Sequence, residues 1–335
     1  MGADEAILNN SVIDWLLEEK QPSIRYLTLR ELLGRSKKDT DVRSARRNIT
    51  NIGWAKDILE KQSPGGFWVG DRSLFEPKYI STFWMILILS DLGLTKEEPG
   101  VEKACQMWMK RCGTRDGGFS QTGKAKEGHL CITGNTARAL VKLGYADHPR
   151  VRRAFEWLVK NQSKLGGWSC WNFGGRHGSR DLDSWEPLSA FAVYPRQKWT
   201  RSMKLTVEKG AQFYLERELH KLRKEGERYE PWYRFHYPNH YYYGILVGLD
   251  FMTTLGYSGD KRLGYAISLL KKKRRADGKW NLDAINPDPE SGQGRWDRDN
   301  PKKASIHFAL EKPGKPSKMI TLNALKVLNR LDEVR

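Results

Sequence analysis

The chain has 335 residues with 58 Lys and Arg against 40 Asp and Glu, a formal net charge of +18. That length supports a large core, and the longest apolar run, 83–89, is far short of the roughly 20 residues that a membrane span needs. Four cysteines (Cys105, Cys112, Cys131, Cys170) without a CxxC pair argue against a disulfide framework, and with no recognisable secretory leader they fit a reducing cytoplasm.

In chain order the apolar periodicity predicts paired helices. The first pair is 4–19 with 22–34, the second 42–62 with 79–93, the third 100–112 with 132–145. The fourth is 150–162 with 184–194, the fifth 200–224 with 240–256, and the sixth 261–275 with 318–332. Val151, Phe155, Leu158 and Val159 form one face of the fourth unit's first helix, opposite Arg152, Arg153, Glu156 and Lys160, the pattern of an amphipathic outer helix. Its partner and the other second helices are more apolar, as helices buried on all sides are. The closing helices PSIRYLTLRELL and PSKMITLNALKVL look like versions of one another. Repeats of about 50 residues, each a helical hairpin, bury their apolar faces against their neighbours. Neither terminal pair carries a polar capping face, so the expected architecture is all-α and closed: an α/α6 toroid spanning 1–335 as one domain, six inner helices sheathed by six outer ones.

Loop lengths orient this ring. Connections from an inner helix to the next outer one are short (94–99, 146–149, 195–199, 257–260), and those from outer to inner are long (63–78, 113–131, 163–183, 225–239, 276–317). The long ones share the end where the inner-helix N-termini converge, and loops on a rigid scaffold carry function. The Pro-, Gly- and Asp-rich stretch 276–317 is long enough to serve as a lid.

The turns before the inner helices repeat as well: Gln62 to Phe67, Asp116 to Phe119, Gln162 to Trp168 and, more loosely, Asp277 to Trp280. With these Gln-x-x-Gly-Gly-Phe and Gln-x-x-x-x-Gly-Trp turns the whole chain resembles the terpenoid cyclase and protein prenyltransferase superfamily, particularly its single-toroid prokaryotic members. The resemblance implies the toroid and an isoprenoid-handling function. Squalene-hopene-type (class II) cyclases carry Asp-x-Asp-Asp at an inner-helix start, the middle Asp protonating an alkene or epoxide. Asp181-Leu182-Asp183-Ser184 occupies that place, which maps Asp183 onto the proton donor. Ser184 departs from the motif, and those enzymes use two helical domains. Protein prenyltransferases place zinc on an Asp-x-Cys cysteine, and the same slot here reads Asp-x-Asp.

Residues at or before the inner-helix starts supply the candidate site. Asp183, Asp181, Glu186 and His240 are the candidate acid–base groups, since a buried carboxylic acid with a raised pKa donates a proton and a neighbouring His holds it. Trp185, Tyr241, His236, Trp84, His129, Arg25 and Lys318 are the candidate substrate contacts, the aromatic rings offering π-faces to a cationic intermediate and the cations an anionic group. Asp183-x-x-Glu186 also reads as a capping box. His129, Cys131, Asp183 and His240 contain metal-ligand chemistry without a diagnostic spacing, so no cofactor is expected and zinc is the alternative. Trp168, Phe67, Phe119 and Trp280 read as wedges between repeats.

Three functions compete: a class II terpene cyclase-like enzyme, a carbohydrate-active α/α6 barrel with paired carboxylates, and a non-catalytic scaffold for an anionic partner. The charge suits a small hydrophobic or phosphorylated substrate, or a membrane surface to which a cytoplasmic protein is peripheral. It argues less for nucleic acid: the densest basic run, Lys271 to Arg275, sits at a predicted helix C-terminus, and the tryptophans cluster at turns rather than alternating with basic residues.

Overall fold

The computed structural model describes residues 10–169, 182, 184–222, 228–287 and 309–332. Its helices, in chain order, are α1 (Asn10–Leu16), α2 (Pro22–Leu27, continued by a π-helical turn Thr28–Leu32), α3 (Thr40–Asn48), α4 (Trp54–Leu59) and α5 (Thr82–Asp91). They continue with α6 (Pro99–Cys112), α7 (Leu130–Lys142), α8 (Pro149–Lys160), α9 (Glu186–Val193) and α10 (Arg201–Leu215). The last three are α11 (Ile245–Thr254), α12 (Gly264–Lys272) and α13 (Lys318–Asp332).

The inner helices are α2, α5, α7, α9, α11 and α13. Each packs on the next from α5 round to α13, and α13 packs back on α2. The remaining joint, α5 to α2, is made at Gly93, beside Tyr26 and Leu27. The ring is therefore closed. Lys326 of α13 pairs with Glu31 of α2 across the joint. Outer helices back the inner ones: α3 lies on α2, α6 on α5, α8 on α7, α10 on α9 and α12 on α11.

Burial follows the helix type. In α5 every residue from Thr82 to Ser90 is buried, as a helix enclosed on all faces requires. The outer α8 buries Val151, Ala154, Phe155, Trp157 and Leu158 and leaves its charges outside. The closest inner joint is made by a glycine: a Cβ on Gly134 of α7 would lie 2.7 Å from Glu186 Cβ and 2.8 Å from the backbone nitrogen of Pro187. No larger residue lets α9 come so near.

The repeat turns show why Gln and Gly occupy them. Gln62 donates to the carbonyls of Gly66 (3.0 Å) and Gly100 (2.8 Å), and Gln162 to those of Gly166 (2.6 Å) and Thr206 (2.8 Å). Each glutamine thus clips its own turn to the next outer helix. Gly166 has φ +93° and sits where a Cβ would come within 2.5 Å of the Lys209 carbonyl oxygen, so both backbone and space demand glycine. The wedges are Trp68, Trp168 and Trp280, whose indole N–H groups donate to the carbonyls of Ile58, Leu158 and Leu270. Trp68, not the half-buried Phe67, is thus the counterpart of Trp168. Phe119 is buried as a wedge.

Three expected helices are shorter than their periodicity suggests. The stretch 42–62 breaks into α3 and α4 at Gly53, which has φ +78°. The stretch 200–224 ends at Leu215, where Glu218 and Leu219 adopt positive φ. The stretch 240–256 becomes helical only at Ile245, because His240 has φ +45°. The expected lid, 276–317, is described only at 276–287 and 309–317; there Leu282 and Ser317 are held by backbone bonds to Lys315 and Trp280.

Candidate functional site

The segment 234–244 enters the elaborated end of the ring and is held there by its backbone. His236 is buried with Nδ1 3.1 Å from the Arg234 carbonyl and Nε2 3.2 Å from that of Tyr242. Burial pushes its pKa down, the carbonyl contacts opposing this in part. The carbonyls of His240 and Tyr241 accept from Asn135 of α7 (2.8 Å) and from the Trp185 indole (3.1 Å). A loop so anchored to α7 and α9 aims its side chains at the ring axis.

Those side chains build an aromatic cluster. His240 lies 5.0 Å from the Tyr79 ring and 5.1 Å, edge-on, from Trp84. Tyr241 meets Trp84 edge-on at 5.0 Å, with the Lys78 ammonium 5.9 Å over its own ring. Trp84 donates to the Phe75 carbonyl at 2.9 Å, and the Tyr79 and Tyr242 hydroxyls are 3.3 Å apart. Burial pushes the Tyr241 phenol well above its usual range, Cys131 and Tyr79 adding to the effect. Of the three tyrosines, Tyr243 serves packing: its hydroxyl donates to the Leu219 carbonyl at 2.9 Å.

Glu186 is 1% exposed and opens α9. The N-cap is Trp185, which places Glu186 at the first helical position rather than the third, so the expected capping box does not form. Asp181 and Asp183 lie outside the described residues. Leu182 between them is fully buried, and its carbonyl accepts the Tyr214 hydroxyl at 3.2 Å.

The structure thus gathers Trp84, Trp185, His236, His240 and Tyr241, together with Tyr79, which the sequence places beside Lys78 just before α5. It does not gather three others. His129 is half-buried at the N-cap of α7, its amide bonded to the Phe119 carbonyl, and no ring contact among the described residues joins it to the cluster. Arg25 reaches the Leu17 carbonyl (2.7 Å) and Asp41 (3.7 Å). Lys318 is buried against the Trp15 carbonyl, the Trp15 ring at 4.4 Å and Glu18 at 3.3 Å. Both cations spend their charge inside the chain, Lys318 on joining the last helix to the first. Among the described residues no group of three His, Cys, Asp or Glu side chains is placed to hold a metal ion, and no helix is long and apolar enough to cross a membrane.

Below the cluster lies a hollow of about 70 Å³ lined by α7, α9, α11 and α13 and roofed by residues 234–244. Its wall is mixed: Arg138, Lys142, Ser189, Asn239, Asp250 and Asn323 contribute polar groups beside Trp185, Leu246 and Phe251. Sequence reasoning did not single out Arg138, because one arginine in an otherwise apolar helix looks the same whether it faces the axis or a neighbour. Lys142 pairs with Asp91 at 2.6 Å and Arg330 with Asp250 at 2.7 Å. Burial raises the pKa of Asp91, but Lys142 and Arg138 outweigh it and hold the carboxyl below its usual range.

A family model, the squalene-hopene cyclase C-terminal domain, matches residues 21–182. Over that stretch, just under half of its length, the chain is similar to the squalene-hopene cyclases. A squalene–hopene cyclase of Bradyrhizobium diazoefficiens is 30% identical over 122 residues, a match covering 33% of this chain and 18% of that protein. Among solved structures, type II terpene cyclase MstE from Scytonema, in complex with geranylgeranyl dihydroxybenzoate, is 13% identical with a TM-score of 0.45, covering 97% of this chain and 99% of that one. A protein from Actinoplanes is 16% identical with a TM-score of 0.47, covering 96% and 98%. The Gln62 and Gln162 clips and the Trp68 and Trp168 wedges all fall inside the matched stretch.

Proposed function

We propose that this toroid handles an isoprenoid, protonating and cyclising it as class II terpene cyclases do, with Asp183 as the general acid. The observation that carries the reading is the squalene-hopene cyclase match, which runs through the first four inner-helix approaches and ends at Leu182, next to Asp183. The aromatic cluster supports it, because Trp84, Trp185 and Tyr241 offer π-faces that stabilise carbocations and His240 is the group to hold the acid's proton. In this reading Asp183 gives its proton to one carbon of a terminal alkene, the adjacent carbon becomes the cation, and a second alkene's π-pair closes the ring. Loss of a proton from the final cation ends the reaction.

The hollow of about 70 Å³ is smaller than the 300–1,000 Å³ of ordinary ligand sites. A polyprene is therefore too large for this hollow, and in this reading it binds beside Asp183 against the aromatic cluster. An apolar substrate of this kind is delivered from a membrane surface, to which the +18 charge suits the protein when that surface is anionic.

The test is product analysis by gas chromatography and mass spectrometry after incubation with detergent-dispersed squalene and with geranylgeranyl compounds. Wild type is expected to yield cyclised product and Asp183→Asn none, at unchanged helical circular dichroism. Full turnover in Asp183→Asn removes the acid role, and no product from wild type with either substrate leaves the scaffold reading.

A further inference from the structure

Asp91, Asp250 and Glu31 each have a cation of their own, Lys142, Arg330 and Lys326 respectively. Arg138 has no such ion pair among the described residues. It is 8% exposed, its Nη2 reaches only the Asn135 side-chain oxygen at 3.2 Å, and its guanidinium stands 5.0 Å over the Trp185 ring. Among the described residues its Nε has no hydrogen-bond partner and no carboxylate forms an ion pair with it. A buried guanidinium with an unmet N–H bears an uncompensated desolvation cost. Asp91 is within its electrostatic reach but is already bonded to Lys142.

Arg138 also lines the hollow, together with Asn239 and Asn323. The geometry points to a binding site for a small oxyanion, a carboxylate or a phosphate, held inside the ring on the Arg138 guanidinium. The planar fork of arginine suits two oxygens at once, and a charge-assisted pair of this kind is strongest away from water. The Asn amides supply further N–H donors. A hollow of about 70 Å³ has room for a few waters or one such ion, which sets an upper limit on its size. This site lies beneath the aromatic cluster and does not depend on the isoprenoid reading.

The experiment is isothermal titration, with thermal-shift measurements beside it, using sodium phosphate, acetate and benzoate at constant ionic strength. Wild type is expected to bind phosphate or acetate saturably, and the stronger of the two tells which oxyanion class the site takes. Benzoate, too bulky for the hollow, is expected not to bind. Arg138→Gln is expected to weaken binding at least about tenfold, and Arg138→Lys to weaken it too, because the charge stays but the fork is lost. Should Arg138→Gln not fold, Ala192→Phe fills the hollow with the guanidinium left in place and must abolish binding. Absence of saturable binding to wild type overturns the proposal. So does unchanged affinity in either Arg138→Gln or Ala192→Phe, which would put the ions on the basic outer surface.

Discussion

The glutamine clips give the sharpest test of how the repeats are held together. Gln162→Leu keeps the side chain's size and removes two N–H bonds, of 2.6 and 2.8 Å, to the Gly166 and Thr206 carbonyls. Each such bond contributes about 1 kcal/mol net. The residue is part-buried, so water re-satisfies the abandoned carbonyls only in part, and the expected loss is about 2–3 kcal/mol. At roughly 2–4 °C per kcal/mol for chains of a few hundred residues, Tm should fall by several degrees. Urea unfolding followed by circular dichroism reads the change as a lower midpoint at constant slope. Gln62→Leu should behave alike, and the double variant should add within about 0.5 kcal/mol because the two clips share no partner. Gln121, which is exposed and makes no such side-chain bridge, is the control, with Gln121→Leu expected near zero. A loss below about 0.5 kcal/mol in both Gln62→Leu and Gln162→Leu refutes the clip and leaves the glutamines as solvated turn residues.

Other expectations follow from the packing and the buried groups. Gly134→Ala should cost about 1–3 kcal/mol, since its Cβ has no space against Glu186 and Pro187; an unchanged urea midpoint contradicts the close α7–α9 joint. His236 has its folded pKa lowered by burial, so the unfolded chain takes up its proton first. The stability this group contributes is full at and above neutral pH and falls as pH drops through about 6.5, the unfolded value. His236→Gln should flatten that part of the stability–pH curve, and a curve unchanged in shape contradicts the assignment. Cys112, its thiol pushed up to about 12 by burial, and Cys105, pushed higher still, should escape iodoacetamide at pH 8 in the folded protein while the half-buried Cys131 reacts. Peptide mass spectrometry reads each site.

Much of this architecture is legible before any coordinates. The Gln-to-Trp turns, the apolar inner helices and the alternation of short and long loops together specify hairpins closed into a ring. What the pattern could not show is tertiary. The amides of Trp68, Phe119 and Trp280 donate to the hydroxyls of Thr82, Thr133 and Thr321 (3.2, 2.9 and 3.0 Å) at the inner-helix starts. A threonine in that place carries no sign of its partner fourteen or more residues away. His240 to Gly244 continue the apolar stretch of α11 and so read as helix, yet bonds from Asn135 and Trp185 to the carbonyls of His240 and Tyr241 hold a turn there instead. Arg25 and Lys318 look like ligand cations because they oppose a helix dipole; carbonyls and carboxylates of α1, its following turn and α3 answer them instead.

The ring's closure decides whether these side chains share one mouth at all, and a crosslink between its first and last inner helices tests it. Glu31→Cys with Lys326→Cys replaces a pair whose head groups touch across the joint. Treatment with a short bis-maleimide, followed by peptide mass spectrometry, should link the two positions within one chain in high yield. Failure to link them in the folded protein, while each cysteine alone is modified, would mean an open arc.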